Sequence, residues 1–195
     1  MSEPMHTEPV GAAGRGRLVV VSGPSGAGKT SVCRALRDDP RVEWSVSATT
    51  RVIRPGEVDG VDYHFLTPEE FEASRERGEF LEWARYNSAS YGTLRAPMLR
   101  ALERGRLFLL EIEVQGTRQL REKAVPGVYV FIVPPSMEEL RRRLILRSTN
   151  SLPDIDRRLE IARKELESKS LYDHVIVNDD LQQTIAEVRR VVGLT

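Results

Sequence analysis

One cysteine, four lysines and two tryptophans stand among 195 residues, and no apolar run comes near the length of a membrane span. Each scarcity excludes a class of protein. Cys33 has no partner for an internal disulfide, and the three histidines, at positions 6, 64 and 174, make no zinc-ligand spacing with it. A bilayer-crossing helix needs roughly 18 consecutive apolar residues, which the chain lacks. Charge of one sign is missing too: 29 basic residues balance 29 acidic ones, so no excess field marks a nucleic-acid or anionic-membrane surface. Residues 1–16 are polar, contain Gly, Ala and Pro, and have no hydrophobic signal core. They predict a disordered N-terminal tail on a cytoplasmic protein. The length suits one domain with a sizeable core and a small inserted lobe, and no repeat or low-complexity segment interrupts it.

Lysine is rare, which makes the placement of Lys29 informative. Residues 18–31 read Leu-Val-Val-Val-Ser-Gly-Pro-Ser-Gly-Ala-Gly-Lys-Thr-Ser. Gly23, four residues, then Gly28, Lys29 and Thr30 fit the phosphate-cradling P-loop pattern. An apolar run at 18–21 predicts a strand buried on both faces, and residues 31–37 predict the first turns of a helix. A loop in that setting aims backbone N–H groups and the positive end of a helix dipole at one spot. Gly23, Pro24, Ser25, Gly26, Ala27, Gly28, Lys29, Thr30 and Ser31 are therefore the expected ATP-binding segment. Lys29 is placed to reach the β- and γ-phosphates, and the Thr30 hydroxyl to ligate Mg²⁺. Cys33 is expected in the core, on the apolar face of that helix.

The rest of the chain alternates strand and helix. Residues 107–112 and 128–133 are strong apolar strand candidates, 175–177 a short one, with helices at 115–123, 136–147, 154–170 and 181–192. That rhythm predicts an α/β fold: a P-loop-type parallel sheet flanked by helices. It is broken between residues 44 and 93. A strand at 42–48 is followed by a polar loop, a short strand at 61–66, and a helix opened by a capping box of Thr67, Pro68 and Glu70. Another short strand is expected at 80–84, and residues 91–93 lead into a helix at 94–104. The segment suggests a lobe inserted into the core.

Several motifs follow one another along the chain: Ser45-Val-Ser-Ala-Thr-Thr-Arg-x-x-Arg-Pro-Gly-Glu57, Gly60-x-Asp-Tyr-x-Phe65, Phe80-Leu-Glu-Trp83 and Tyr91-Gly-Thr93 in this region, and Val175-Ile-Val-Asn-Asp-Asp180 near the end. Together with the P-loop the chain resembles guanylate kinases over residues 17–193. The resemblance implies a core of residues 17–43, 94–142 and 171–195, a GMP-binding lobe at 44–93 and a helical lid at 143–170. It also implies Mg²⁺-dependent transfer of a phosphoryl group from ATP to GMP. The residue chemistry agrees with that implication. Arg51 and Arg54 offer guanidinium forks to a dianionic phosphate, Glu57 closes the same motif, and Tyr63 and Tyr91 can add uncharged donors. Glu82 can accept from guanine N1–H and the 2-amino group, both absent from adenine, with Ser47 and Thr93 completing the base contacts. Arg143, Arg147 and Arg158 match lid positions, where guanidiniums close over the transferring group beside Lys29. The acceptor phosphate oxygen is already anionic, so no general base is needed, and the histidines have no catalytic register.

The pattern also departs from the family. Glu111 and Glu113 stand where the family usually has Asp-x-Asp, the first serving Mg²⁺ and phosphates, the second the guanine side. Ser90 replaces a tyrosine, and the lid reads Arg147-Ser148-Thr149-Asn150 rather than Arg-Gly-Thr-Glu. Two other readings use the same fold: an interaction module that has lost catalysis, and a sugar-phosphate kinase. The intact Lys29 and Thr30 speak against the first. Glu82, Arg51 and Tyr91 together speak against the second. The expected partners are ATP and GMP, with no nucleic acid and no membrane, and the sequence admits a homo-oligomer.

Overall fold

The computed structural model describes residues 16–86, 88–146 and 152–195. Among these, a parallel sheet is built from β1 (Arg17–Ser22), β2 (Val42–Trp44), β7 (Leu107–Glu111), β8 (Val128–Val133) and β9 (His174–Val177), in the order β2-β7-β1-β8-β9. Strand residues alternate between two cores, one on each face. Val19, Val21, Leu109, Val130 and Ile132 pack with Val32, Cys33 and Leu36 of α1 (Lys29–Arg37) and Val188 of α7 (Leu181–Val191). Leu18, Val20, Phe108, Leu110, Tyr129 and Phe131 pack with Met98 and Ala101 of α3 (Arg95–Glu103) and Val114 and Leu120 of α4 (Val114–Glu122). Burial on both faces explains why these strands read as unbroken apolar runs. Cys33 lies in the core, as its helical register predicts.

The same arrangement opens the site. The adjacent strands β1 and β7 run parallel, yet β1 leads into α1 on one face and β7 into α4 on the other. A crevice forms at their carboxyl ends, where connections diverge in an open parallel sheet.

The inserted segment carries a second sheet, ordered β4-β3-β6-β5, from β3 (Ala48–Thr49), β4 (His64–Phe65), β5 (Phe80–Tyr86) and β6 (Ala89–Leu94). Here the structure revises the expectations. The strand expected at 42–48 is two: β2 pairs with β7 in the large sheet, β3 pairs with β6 in the small one, and the chain crosses between them at residues 45–47. Residues 91–93, expected to lead into a helix, lie within β6, and the expected helix follows at Arg95–Glu103. Helix α2 (Pro68–Glu76) covers this sheet with Phe71 stacked on Phe80 at 4.5 Å between ring centroids. Its capping box is present: Glu70 N–H donates to Thr67 Oγ1 and Thr67 N–H to Glu70 Oε2.

Helices α5 (Met137–Leu146) and α6 (Leu152–Leu166) share a separate apolar cluster of Leu140, Leu144, Ile155, Leu159 and Ala162. A 3₁₀ turn, Glu167–Leu171, leads from them into β9. Residue 143, the expected start of the lid, falls inside α5. No helix among the described residues is long and apolar enough to cross a membrane.

Candidate active site

The P-loop stands between two cavities. The larger, about 600 Å³, is lined by Ser25 and Thr30 from the loop side, and the smaller, about 310 Å³, by Gly26, Gly28 and Ser31. Gly26 and Gly28 sit at φ 90° and 100°, a left-handed conformation that side-chain-bearing residues rarely adopt. Gly28 is also the N-cap of α1. Lys29 is buried, and its Nζ donates to the carbonyl oxygens of Gly23 (2.5 Å) and Pro24 (3.3 Å). The ammonium thus rests on the loop's own acceptors.

At the foot of the larger cleft, Thr30 Oγ1 donates to Glu111 Oε1 at 2.8 Å. One oxygen comes from the first turn of α1 and the other from the carboxyl end of β7. Among the described residues no cluster of three His, Cys, Asp or Glu side chains could hold a metal unaided. A hydroxyl and one carboxylate suit Mg²⁺, which keeps several waters and takes its other ligands from nucleotide phosphates.

Ser47, Tyr63, Glu82, Tyr91, Glu113 and Arg158 line the same cleft. Glu82 is only 5% exposed, and Thr93 Oγ1, fully buried, donates to its Oε1 at 2.6 Å. Burial raises the Glu82 pKa, while the Thr93 hydrogen bonds and the Lys123 charge oppose that rise. Four groups expected beside GMP, Arg51, Arg54, Glu57 and Thr93, do not line the cleft directly. Thr93 stands behind Glu82, and Glu57 gives both oxygens to Arg51 (2.8 and 3.0 Å) and one of them also to the Arg54 N–H (2.8 Å). Glu57 therefore braces the loop that carries the two arginines, and the Arg51 guanidinium, with the Arg54 N–H, holds its carboxyl below the usual range. Arg51 lies over the Tyr63 ring at 5.4 Å, Tyr63 meets Tyr91 edge-on, and Arg54 is exposed.

The expected lid residues are divided. Arg158, on α6, faces the larger cleft; Arg143, on α5, lines the smaller cavity and donates to Glu139 at 2.7 Å. Arg147, with Ser148, Thr149 and Asn150, lies outside the described residues, as do residues 1–15 of the expected tail.

Sequence reasoning missed several cleft residues. Arg34 is one helical turn beyond Thr30, a spacing that could have found it, and Arg37 follows on the same face. Glu165 reaches the cleft from α6, one turn past Ile161 and two past Arg158. Asn178 and Asp179 line the smaller cavity, and Asn178 Nδ2 donates to Ala27 O at 2.7 Å, tying the end of β9 to the P-loop.

Comparison with known proteins agrees with this geometry. The family model described as "Guanylate kinase" matches residues 15–194. Proteins named guanylate kinase from Clostridioides difficile and Syntrophotalea carbinolica are 44% and 47% identical, over 92% and 91% of this chain and 88% and 85% of theirs. The crystal structure of guanylate kinase from Anaplasma phagocytophilum superposes with a TM-score of 0.73 at 34% identity, covering 93% of this chain and 86% of that one. With a P-loop bordering both cavities, and a family match across nearly the whole length, this chain belongs to the guanylate kinase family.

Proposed function

We infer that the chain transfers the γ-phosphoryl group of ATP to GMP, and to dGMP, giving ADP and the nucleoside diphosphate. The observation that carries the reading is the position of the P-loop, with Thr30 and Glu111 on the side that also holds Glu82. Donor phosphates lying over the loop would then face an acceptor whose base is read at the far end of the same cleft.

In this reading the large sheet and its helices are the donor core, the small sheet is the acceptor lobe, and α5 with α6 form the lid. Asn178 and Asp179 border the space for the donor base. Loop amides and Lys29 hold the β- and γ-phosphates, Lys29 exchanging the Gly23 and Pro24 carbonyls for phosphate oxygens. Glu82 accepts from guanine N1–H and the 2-amino group, with Thr93 orienting it and Glu113 and Ser47 completing the walls. Arg51, Arg54, Tyr63 and Tyr91 take the acceptor phosphate, Glu57 keeping Arg51 in place until that phosphate arrives. Thr30 and Glu111 would hold Mg²⁺, which supplies charge neutralisation between donor phosphate oxygens. Arg143 and Arg158 face different cavities, so delivering both to one phosphoryl group requires α5 and α6 to shift toward the P-loop. Guanidiniums placed by such closure stabilise charge on the equatorial oxygens of the transition state.

The test is a coupled ADP-release assay with GMP, dGMP, IMP, AMP and ribose bisphosphate as acceptors, for the wild type and Glu82→Gln. Turnover is expected with GMP and dGMP. Glu82→Gln turns a donor toward the guanine N–H groups, and an unsatisfied buried polar group costs about 1–3 kcal/mol. GMP kcat/KM should fall at least ~10-fold with AMP little affected. Turnover only with the sugar phosphate, or with none of the acceptors, would overturn the reading.

A further inference from the structure

Glu82 lies at an irregular point of its strand. Phe80 pairs with Leu94 and Glu82 with Thr93, so Leu81 is an extra residue bulged out of the β5–β6 ladder. Such bulges re-aim side chains, often beside active sites. This one sends three consecutive residues to three places: Phe80 into the small-sheet core, Leu81 into the core under the large sheet, and Glu82 into the cleft. A bulge frees backbone groups, and β5 is also an edge strand, with no neighbouring strand beyond it among the described residues. Unpaired polar backbone groups cost stability unless another partner supplies the hydrogen bonds.

The partner is helix α4, from the other sheet. Lys123 Nζ donates to the Leu81 carbonyl at 2.7 Å. Gln119 pairs with both groups of Trp83: its Oε1 accepts from the Trp83 N–H (3.2 Å) and its Nε2 donates to the Trp83 carbonyl (2.6 Å). The primary amide thereby takes the place of a neighbouring strand. One turn nearer the start of α4, Gly116 backs onto the Glu82 carboxylate. Positions 116, 119 and 123 fall three and four apart, on one face of the helix.

We propose that Gln119, assisted by Lys123, is a positioning residue for base discrimination. Its double hydrogen bond to Trp83 fixes the peptide on one side of Glu82, Lys123 fixes the carbonyl on the other, and the carboxylate is held at the angle that meets two guanine N–H donors at once. Gln119 does not line the cleft itself. The proposal rests on the reading of Glu82 as the guanine acceptor. Its consequence is specific: loosening the strand should weaken the bidentate contact of GMP more than the single contact left to IMP, which lacks the 2-amino group.

The experiment compares GMP and IMP as acceptors for the wild type, Gln119→Met, Lys123→Met, Glu82→Gln and the Gln119→Met/Glu82→Gln double variant, with a thermal melt of each. Gln119→Met keeps the side-chain volume and loses both hydrogen bonds. The expected result is a KM for GMP raised about 10-fold with kcat changed far less, a GMP-to-IMP ratio of kcat/KM reduced several-fold, and a similar but smaller drop in Lys123→Met. In the Glu82→Gln background, Gln119→Met should leave the ratio where it is, because the group it positions is gone. Parallel losses for GMP and IMP, or no loss, would overturn the proposal and make Gln119 a structural brace. Should Gln119→Met not fold, Gln119→Glu, which keeps the acceptor for the Trp83 N–H, is read by the same ratio and the same two outcomes. If Glu82→Gln alone leaves the ratio unchanged, the reading of the base site fails. If it shifts the ratio and the Gln119 variants do not, only the present proposal fails.

Discussion

Glu111 occupies the position where the family resemblance leads one to expect the shorter aspartate. The side chain reaches from the end of β7 to the Thr30 hydroxyl, an oxygen pair at 2.8 Å with no third acidic or histidine ligand beside it among the described residues. A carboxylate so placed serves a cation best when phosphates and water complete the shell, since Mg²⁺ insists on near-octahedral geometry. Shortening the arm leaves a water-bridged contact within reach; removing it leaves Thr30 alone. Glu111→Asp is therefore expected to retain much of the turnover, and Glu111→Ala to raise the Mg²⁺ concentration needed for half-maximal rate. Initial rates titrated with Mg²⁺ at fixed ATP and GMP check this, and three superimposable curves would remove Glu111 from the metal site. Lys29 shows the same economy at the residue scale. Its charge is compensated by two loop carbonyls, those of Gly23 and Pro24.

Helix α4 joins the two sheets and runs from the Glu111 end of the cleft to Glu82. It starts at Glu113, two residues after Glu111, and passes Gly116 against Glu82 before reaching Gln119 and Lys123. A Cβ at position 116 would stand 2.6 Å from Glu82 Oε2 and 3.1 Å from its Cδ. The atoms it meets end a flexible side chain, so the carboxylate would shift and the fold would persist. Alanine also favours a helix over glycine by roughly 1 kcal/mol. Gly116→Ala should thus leave the melting temperature unchanged or slightly raised while KM for GMP rises about 10-fold or more, an opposition of signs that melts and steady-state kinetics together detect. This helix also marks where sequence reading stops. The P-loop and strands β1, β7 and β8 are legible because burial on both faces demands unbroken apolar runs and the phosphate loop demands glycines at set spacing. Strands β3 and β4 are two residues each, and Ala-Ser-Tyr-Gly-Thr-Leu of β6 shows no clean alternation, so pairing with distant segments, rather than local propensity, makes them strands. Glu82 was visible through its motif. Gln119 and Lys123 look like ordinary solvent-facing helix residues, because nothing local says that a bulged edge strand lies across from them.

Across the whole molecule, α6 and the large-sheet core meet in the cleft through a pair of acids. Glu165, on α6, faces Glu113, at the junction of β7 and α4, with Lys29 of α1 nearby and Arg158 two turns back on its own helix. Burial, and then the Glu113 charge, push the Glu165 pKa up to about 7, against a partial opposing pull from Lys29. The unfolded chain holds this carboxyl near its ordinary value, about 4.3. Between those limits the folded protein binds more protons than the unfolded one, so stability contributed by protonated Glu165 is present at low pH and is lost as pH rises toward 7. Asp39 and Glu139, held far lower by their arginine partners, titrate below this window. Glu82 is common to both proteins in the comparison with Glu165→Gln and cancels from it. In nucleotide-free protein the wild-type melting temperature is therefore expected to fall, relative to Glu165→Gln, as pH rises from 5 to about 7, and then to run parallel to it. The glutamine keeps a neutral hydrogen-bonding group facing Glu113 at every pH, so its curve should lack that decline. Melts at half-unit pH steps decide the matter. Parallel curves throughout would mean that Glu165 ionises as an ordinary surface carboxylate, and that lid and core do not share a proton across the cleft.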